Sequence, residues 1–130
     1  MRQRGFTLME VLVAVVVLAV ALGALIRAGS QNASTAAYLQ ERTLAHWTAD
    51  NALAQLRAGL VPLTEGTRQD EAEMAGRRYD LRIAVAPARS PHEMLPDPQG
   101  LYEVTVEVRP RDADIEETPL ARLTGFVGVR

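Results

Sequence analysis

Glu10, near the N-terminus, is an acidic residue next to a long apolar segment, where its carboxylate needs a positively charged partner. Residues 5–10 read Gly-Phe-Thr-Leu-Met-Glu, and Glu10 directly precedes a long apolar run. A charged side chain at the middle of a bilayer costs about 2.5 to 3.5 kcal/mol on insertion scales, and an acid near the edge is still unusual. A cut between Gly5 and Phe6 would supply a partner, because it leaves a cationic amine on Phe6. In a helical stack of subunits, Glu10 of one copy can pair with the Phe6 amine of a neighbour, and hydrocarbon strengthens the attraction.

The apolar run after Glu10 is long enough to cross a membrane. Residues 11–26 are sixteen amino acids with no charge and no proline, and adding residues 6–10 gives a segment of 21. At about 1.5 Å per residue, a helix of this length spans roughly 31 Å, the thickness of the hydrocarbon core. Arg2 and Arg4 precede the segment and Arg27 follows it. The positive-inside rule therefore predicts a cytoplasmic N-terminus.

Two other interpretations of residues 6–26 do not use Glu10. The segment can be a cleaved secretory signal with its small-residue site at Ala19-Val20-Ala21. It can also be a plain signal anchor that tolerates the acid, since Glu10 lies about 6 Å along the helix from Phe6 and its carboxylate can reach the interface. Cleavage followed by charge pairing is favoured because it gives the acid a function.

The remaining candidates for chemistry are weak. Neither His46 nor His92 has an acid and a serine around it in a catalytic pattern, and both are predicted to be structural or solvated. The acidic stretch 112–117 lacks the glycine and the spacing of a calcium loop, which favours a solvated turn. The chain has no cysteine and no glycine-rich phosphate motif, and its net charge is −2. The sequence therefore predicts no enzyme activity, no metal, no cofactor and no nucleic-acid partner.

The helix is predicted to continue past the membrane segment, over residues 27–59. Residues 28–58 contain no proline, and apolar residues recur at spacings of seven, four, three and four: Tyr38, Ala45, Ala49, Ala52 and Leu56. This period indicates an amphipathic helix with one buried face, which Leu44, Trp47 and Leu53 are predicted to widen. Gly59 suits a left-handed cap and Pro62 prevents continuation, so the helix is predicted to end within residues 57–59.

Residues 60–130 are predicted to form β-strands. Two runs alternate apolar and polar residues, with Tyr79, Leu81, Ile83 and Val85 on one face of the first and Tyr102, Val104, Val106 and Val108 on one face of the second. A third strand is predicted over residues 120–129, with Ala121, Leu123, Val127 and Val129 inward and Gly125 open to the close approach of a neighbour. A fourth, short strand is predicted over residues 71–75, joined to the first run by a hairpin through residues 75–77.

These elements predict one architecture. The sheet has a single apolar face, and the helix stripe is the apolar surface available to cover it. An antiparallel sheet laid across the C-terminal half of a long N-terminal helix follows, which is an α+β fold. Residues 87–100 contain four prolines and are predicted to be a mobile or connecting loop rather than a binding surface.

The N-terminal residues resemble a known signal. The run Arg4-Gly5-Phe6-Thr7-Leu8-Met9-Glu10-Val11 is similar to the class III signal of type IV pilins and type II secretion pseudopilins, whose pattern is Gly, Phe, Thr, Leu, any residue, Glu. The resemblance implies a pilin-like fold. It also implies that a prepilin peptidase removes residues 1–5 by cutting between Gly5 and Phe6, that Phe6 is N-methylated, and that Glu10 is the assembly glutamate.

A weaker resemblance extends over nearly the whole chain. It is carried by Tyr38-Leu39, Thr43-Leu44-Ala45, Ala49-Asp50-Asn51, Gly76-Arg77-Arg78-Tyr79 and the ending Pro119-Leu120-Ala121-Arg122-Leu123-Thr124-Gly125-Phe126-Val127-Gly128, which look like the minor pseudopilin family called protein I. This resemblance implies a non-catalytic subunit of the type II secretion system, anchored in the inner membrane by residues 6–26 with its head, residues 60–130, in the periplasm. It implies partnership with J-type and K-type minor pseudopilins and the major pseudopilin, at a fibre tip where assembly starts. Because Glu10 is present, a position below the very tip is expected.

Two alternatives stay open at this point. One is a minor type IV pilin with a role in pilus assembly, adhesion or motility, which would carry the same signal. The other is a membrane-anchored enzyme or binding protein whose leader matches by coincidence.

Overall fold

One helix precedes a four-stranded antiparallel sheet in the computed structural model, which describes residues 5–91, 95–114 and 116–129. The elements are α1 (Leu8–Arg57), β1 (Gly66–Met74), β2 (Arg77–Pro87), β3 (Leu101–Pro110) and β4 (Ala121–Gly128). The strands lie in the order in which they occur in the chain, and each pairs antiparallel with the next. The predicted α+β, pilin-like arrangement is therefore confirmed. The chain divides into two compact units, with the boundary between Leu39 and Gln40.

The first unit consists of the N-terminal part of α1 and has no core of its own. Every described residue up to Leu39 is exposed, including the large apolar side chains of residues 11–26. By length and composition α1 is capable of crossing a membrane. A helix that is apolar on all sides needs an apolar surrounding, which lipid or the helices of other chains can provide.

In the second unit, the C-terminal part of α1 packs on the sheet. Its buried residues are Leu44, Ala45, Thr48, Ala49, Leu53 and Leu56. Ala45 and Ala49 are completely buried, and their small side chains let the helix backbone approach the strands. Removing these apolar surfaces from water, at about 25 cal/mol per Å², is the main stabilising contribution to the unit. The predicted stripe is thus confirmed for its C-terminal residues.

Two residues that the periodicity assigned to the buried face lie elsewhere. Trp47 is 57 % exposed and Tyr38 is 53 % exposed. Trp47 is two positions from both Ala45 and Ala49, which is about 200° around a helix, so it points away from the sheet. Tyr38 precedes Leu44, the first buried residue of the helix, and belongs to the first unit. The prediction that Trp47 lies in the core is wrong.

The end of α1 is fixed by a glycine, as predicted. Gly59 has φ +70°, the Leu60 N–H donates to the Gln55 carbonyl at 3.0 Å, and the Gly59 N–H donates to the Leu56 carbonyl at 3.2 Å. This pair of bonds is the Schellman motif, which satisfies the last carbonyls of a helix and reverses the chain. The reversal starts the chain back toward the sheet.

β1 is longer than predicted and starts five residues earlier, at Gly66 rather than at Glu71. Its sequence does not alternate in hydropathy, because it is an edge strand that places Arg68 and Asp70 beside Ile83 and Leu81 of β2. The turn into β2 consists of Ala75 and Gly76, with φ of 51° and 74°. Two successive residues with positive φ match the twist of an antiparallel hairpin, so the predicted hairpin is confirmed.

The inward face of the sheet follows the predicted alternation in β2 and β3. Tyr79, Leu81, Ile83 and Val85 are buried, as are Val104, Val106 and Val108. In β4, Ala121 and Val127 are buried and Leu123 is half-buried. Val129 was predicted to face inward and is 55 % exposed, because β4 ends one residue before it.

The connection between β2 and β3 is tied down at its two ends. The Ala88 N–H donates to the Leu101 carbonyl at 2.9 Å, and the Val129 N–H donates to the Gly100 carbonyl at 2.7 Å. Within the loop, the Ser90 N–H donates to Asp97 Oδ1 at 2.8 Å. Of the predicted loop 87–100, Pro87 is the last residue of β2, and the described parts of residues 88–100 contain no helix or strand, as predicted. The prediction that this loop is mobile or merely connecting stays a prediction.

Candidate functional site

The N-terminal segment places two of the predicted site residues, Phe6 and Glu10, in one groove at the start of α1. Gly5, Phe6 and Thr7 precede the helix, and Glu10 lies in its first turn. Phe6 and Glu10 are four residues apart and line one shallow apolar groove together with Val11, Ala14, Val15 and Leu18. Phe6 is 82 % exposed. A carboxylate therefore lies four residues along the chain from the residue whose amine a cut after Gly5 would release, in the same otherwise apolar groove.

Within the part of the chain that the structure describes, the sequence candidates for other chemistry are not assembled into a site. His46 is exposed on α1, and His92 lies outside the described residues. The acidic stretch 112–117 forms the connection from β3 to β4, and its Ile115 also lies outside the described part of the chain. Across the described ranges, no three acidic or histidine side chains are grouped in a way that could hold a metal ion.

A charged network covers part of the outward face of the sheet. Glu107 accepts from Arg109 Nη1 at 3.1 Å and also pairs with Arg122. Burial opposes ionisation of Glu107, but the hydrogen bonds and charges of Arg122 and Arg109 outweigh it and hold the pKa of this carboxyl below its ordinary value. Beside this group, Thr105 and Thr124 approach to 3.2 Å across β3 and β4. These contacts stabilise strand pairing and make this face polar.

A second ion pair links the helix to the β1–β2 hairpin. Arg77 Nη1 lies 3.7 Å from Glu41 Oε1, next to the buried Tyr79. Burial raises the pKa of Tyr79, and the neighbouring Arg77 guanidinium opposes that rise. Both partners of the ion pair are substantially exposed, so its contribution to stability is small, about 0 to 1 kcal/mol.

Trp47, for which the sequence favoured a place in the core over a recognition site, is a surface residue. It lies at the centre of the solvent face of α1 in the second unit, where Thr43, Asp50, Asn51 and Ala54 are also exposed. Tryptophan is one of the residue types enriched at interface hot spots. The sequence signal for this position is its spacing of two residues from Ala45 and from Ala49, which puts Trp47 on the opposite side of a helix.

A second exposed apolar surface lies where β2 ends and β3 begins. Phe126 and Leu95 are 52 % and 58 % exposed. They line an open groove with Ala88, Arg89, Ser90, Pro91, Pro96, Pro98 and Leu101. The loop 87–100, predicted to connect rather than to bind, thus contributes one wall of an apolar groove.

Comparison with known proteins identifies both parts of the chain. A family model described as "Type II secretion system (T2SS), protein I" matches residues 39–128. A second, "Prokaryotic N-terminal methylation motif", matches residues 1–26. The first match covers the described head almost completely, and the second covers the segment with Phe6 and Glu10.

Curated relatives agree with these matches. The type II secretion system protein I of Pseudomonas aeruginosa is 36 % identical over 98 % of this chain and 96 % of its own length. The protein of the same name from Vibrio cholerae is 39 % identical over 63 % of this chain and 68 % of its own length. That from Klebsiella pneumoniae is 48 % identical over 43 % of this chain and 46 % of its own length. With an exposed apolar helix, a methylation motif and a head that matches along its length, the chain belongs to the type II secretion system protein I family.

Proposed function

We propose that the chain is a minor pseudopilin of the type II secretion system, a non-catalytic subunit that acts by joining a periplasmic fibre. The observation that carries this proposal is that Phe6 and Glu10 line one groove at the start of a helix whose apolar N-terminal part is exposed. The match of the head to the protein I family model favours this function over that of a minor type IV pilin, which would share only the N-terminal signal. Assembly at the fibre tip then starts the pseudopilus and supports export across the outer membrane.

The proposal divides the chain into four segments. Residues 1–5 are a leader that a prepilin peptidase removes, and residues 6–26 span the inner membrane before assembly and enter the fibre core afterwards. Residues 27–59 continue the helix, and residues 60–130 are the periplasmic head. Arg2 and Arg4 hold the N-terminus in the cytoplasm before cleavage.

Processing at this site has a direct test. Mass spectrometry of the N-terminal peptide from the native membrane protein is expected to find N-methyl-Phe6 as the first residue. A host strain without the prepilin peptidase is the control, and there the peptide should begin at Met1. A native protein that keeps residues 1–5 where the peptidase is active would contradict the proposed function.

The partners in this proposal are the J-type and K-type minor pseudopilins and the major pseudopilin. A head that works by association needs a contact surface, and the face of α1 around Trp47 is the best candidate. Trp47 lies opposite the face that packs on the sheet, so its exposure does not serve the core of the head. Aromatic residues are enriched at the centres of protein–protein interfaces.

Replacing Trp47 by Ala is expected to weaken association without weakening the head. The unfolding free energy should change by no more than about 0.5 kcal/mol, because Trp47 is largely solvated. Co-purification of the full-length chain with co-expressed J-type and K-type subunits, in detergent, should fall about tenfold. Leu60→Ala is a matched control, since Leu60 is 76 % exposed and outside this face. Equal recovery of the complex with Trp47→Ala and Leu60→Ala would remove Trp47 from the interface.

A further inference from the structure

The start of α1 is set by the side chain of Thr7. Thr7 Oγ1 accepts the Glu10 N–H at 3.2 Å, and the Thr7 carbonyl accepts the N–H groups of Glu10 and Val11 at 3.0 and 3.2 Å. A residue outside the helix whose carbonyl accepts the first helical bond and whose hydroxyl accepts from the third helical residue is an N-cap. Glu10 is that third residue, where a carboxylate also interacts favourably with the positive end of the helix dipole.

The cap matters more in this chain than at an ordinary surface helix. The first four N–H groups of a helix have no partner inside it, and near hydrocarbon little water is available to satisfy them. Between Gly5 and Leu8, the two residues suited to an N-cap are Thr7 and Gly5 itself. A helix capped at Gly5 would begin at Phe6, so the two caps compete for the position of the first turn.

We propose that Thr7 is a positioning residue for leader removal, because its cap starts the helix at Leu8 and keeps the Gly5–Phe6 bond in non-helical chain. This inference rests on the proposed processing between Gly5 and Phe6. Gly5, Phe6 and Thr7 are outside the helix and exposed, and proteolysis acts on exposed backbone that is not held in regular structure. A start at Phe6 would instead place the residue after the scissile bond in the first helical turn.

The reaction itself is ordinary amide hydrolysis. One water adds across the bond between the Gly5 carbonyl carbon and the Phe6 nitrogen, giving a Gly5 carboxylate and a Phe6 amine that is protonated at neutral pH. Thr7 takes no part in these bond changes. Its cap raises the fraction of molecules in which the Gly5–Phe6 bond lies outside the helix when the peptidase binds.

The test compares four variants of the full-length chain, in detergent micelles, with a purified prepilin peptidase. Thr7→Ser and Thr7→Asn keep an N-cap and are expected to be cut at the rate of the unmodified chain. Thr7→Val, which keeps the shape of the side chain but has no acceptor, and Thr7→Ala are expected to be cut about fivefold more slowly. Carbon chemical shifts of Phe6 in the uncut chain should move toward helical values in Thr7→Val and not in Thr7→Asn.

Each other outcome overturns the inference in a distinguishable way. If Thr7→Val is cut as fast as the unmodified chain, the cap does not govern cleavage. If Thr7→Asn is cut as slowly as Thr7→Val, the peptidase recognises the Thr7 side chain itself. If the unmodified chain is not cut between Gly5 and Phe6, the proposed processing fails and the role of Thr7 fails with it.

Discussion

A Glu10→Ala chain is expected to insert into the membrane normally and to be absent from the fibre. Removing the acid makes residues 6–26 uniformly apolar, which favours insertion. In the fibre, however, the neighbouring Phe6 amine loses its counter-ion among apolar helices. Breaking a buried ion pair by removing one partner costs about 3 to 5 kcal/mol, so the incorporated fraction should fall by at least about a hundredfold.

The measurement separates the two steps for each variant. Membrane flotation reports insertion, and sheared or detergent-released pseudopilus fractions report incorporation. Glu10→Gln keeps the size of the side chain without its charge and should behave like Glu10→Ala, whereas Glu10→Asp should retain part of the incorporation. Val13→Ala is the control for a change within the apolar run. Normal incorporation of both Glu10→Ala and Glu10→Gln would exclude charge pairing as the assembly mechanism.

The second large effect is expected at Gly125, where β4 passes directly beneath the helix. A Cβ atom at this position would lie 2.5 Å from Leu53 Cδ2 and 2.9 Å from Arg57 Nη2. Leu53 is itself buried and has little room to move. Arg57 Nε also donates to the Phe126 carbonyl at 3.3 Å, which holds the helix end against β4. Gly125→Ala should therefore lower the unfolding free energy of the head by about 1 to 3 kcal/mol, and Gly125→Val by more.

A double-mutant cycle identifies the cause. Leu53→Ala alone leaves a cavity and should cost about 2 to 5 kcal/mol. Together with Gly125→Ala the total should be smaller than the sum, because the shortened side chain at position 53 leaves space for the added methyl group. Gly128→Ala is the matched control on the same strand, since a Cβ there meets nothing within 4 Å. Denaturant unfolding followed by circular dichroism measures each of these chains, and additive losses would contradict a direct contact.

Structural signals that are local could be read from the sequence. The period-two alternation of Tyr79, Leu81, Ile83 and Val85 identified β2, because each residue's face depends only on its position along one strand. Gly59 identified the helix end for the same reason, since a left-handed cap is a property of one residue and its near neighbours. The residues of the N-terminal signal could likewise be selected from their types and spacing.

Hydrophobicity alone was a poor guide where geometry or pairing decides. It placed Trp47 in the core, although its helical angle directs it away from the sheet. It recognised only the end of β1, because an edge strand with Arg68 and Asp70 on its inner face carries no alternation. Pairing with β2 through the Ala75-Gly76 turn makes this segment a strand.

By itself the sequence determined the α+β class, the long apolar helix, the strand faces and the N-terminal signal motif. Each of these depends on the types and spacing of side chains within one short segment. The glycine in β4 was expected to allow a close approach, but only the tertiary structure identified Leu53 and Arg57 as the groups that fill the space. Likewise, only the folded sheet brought Arg122 of β4 to Glu107 of β3. These contacts join residues distant in the chain or on neighbouring strands, and their partners are chosen by packing and register rather than by any pattern that one segment carries.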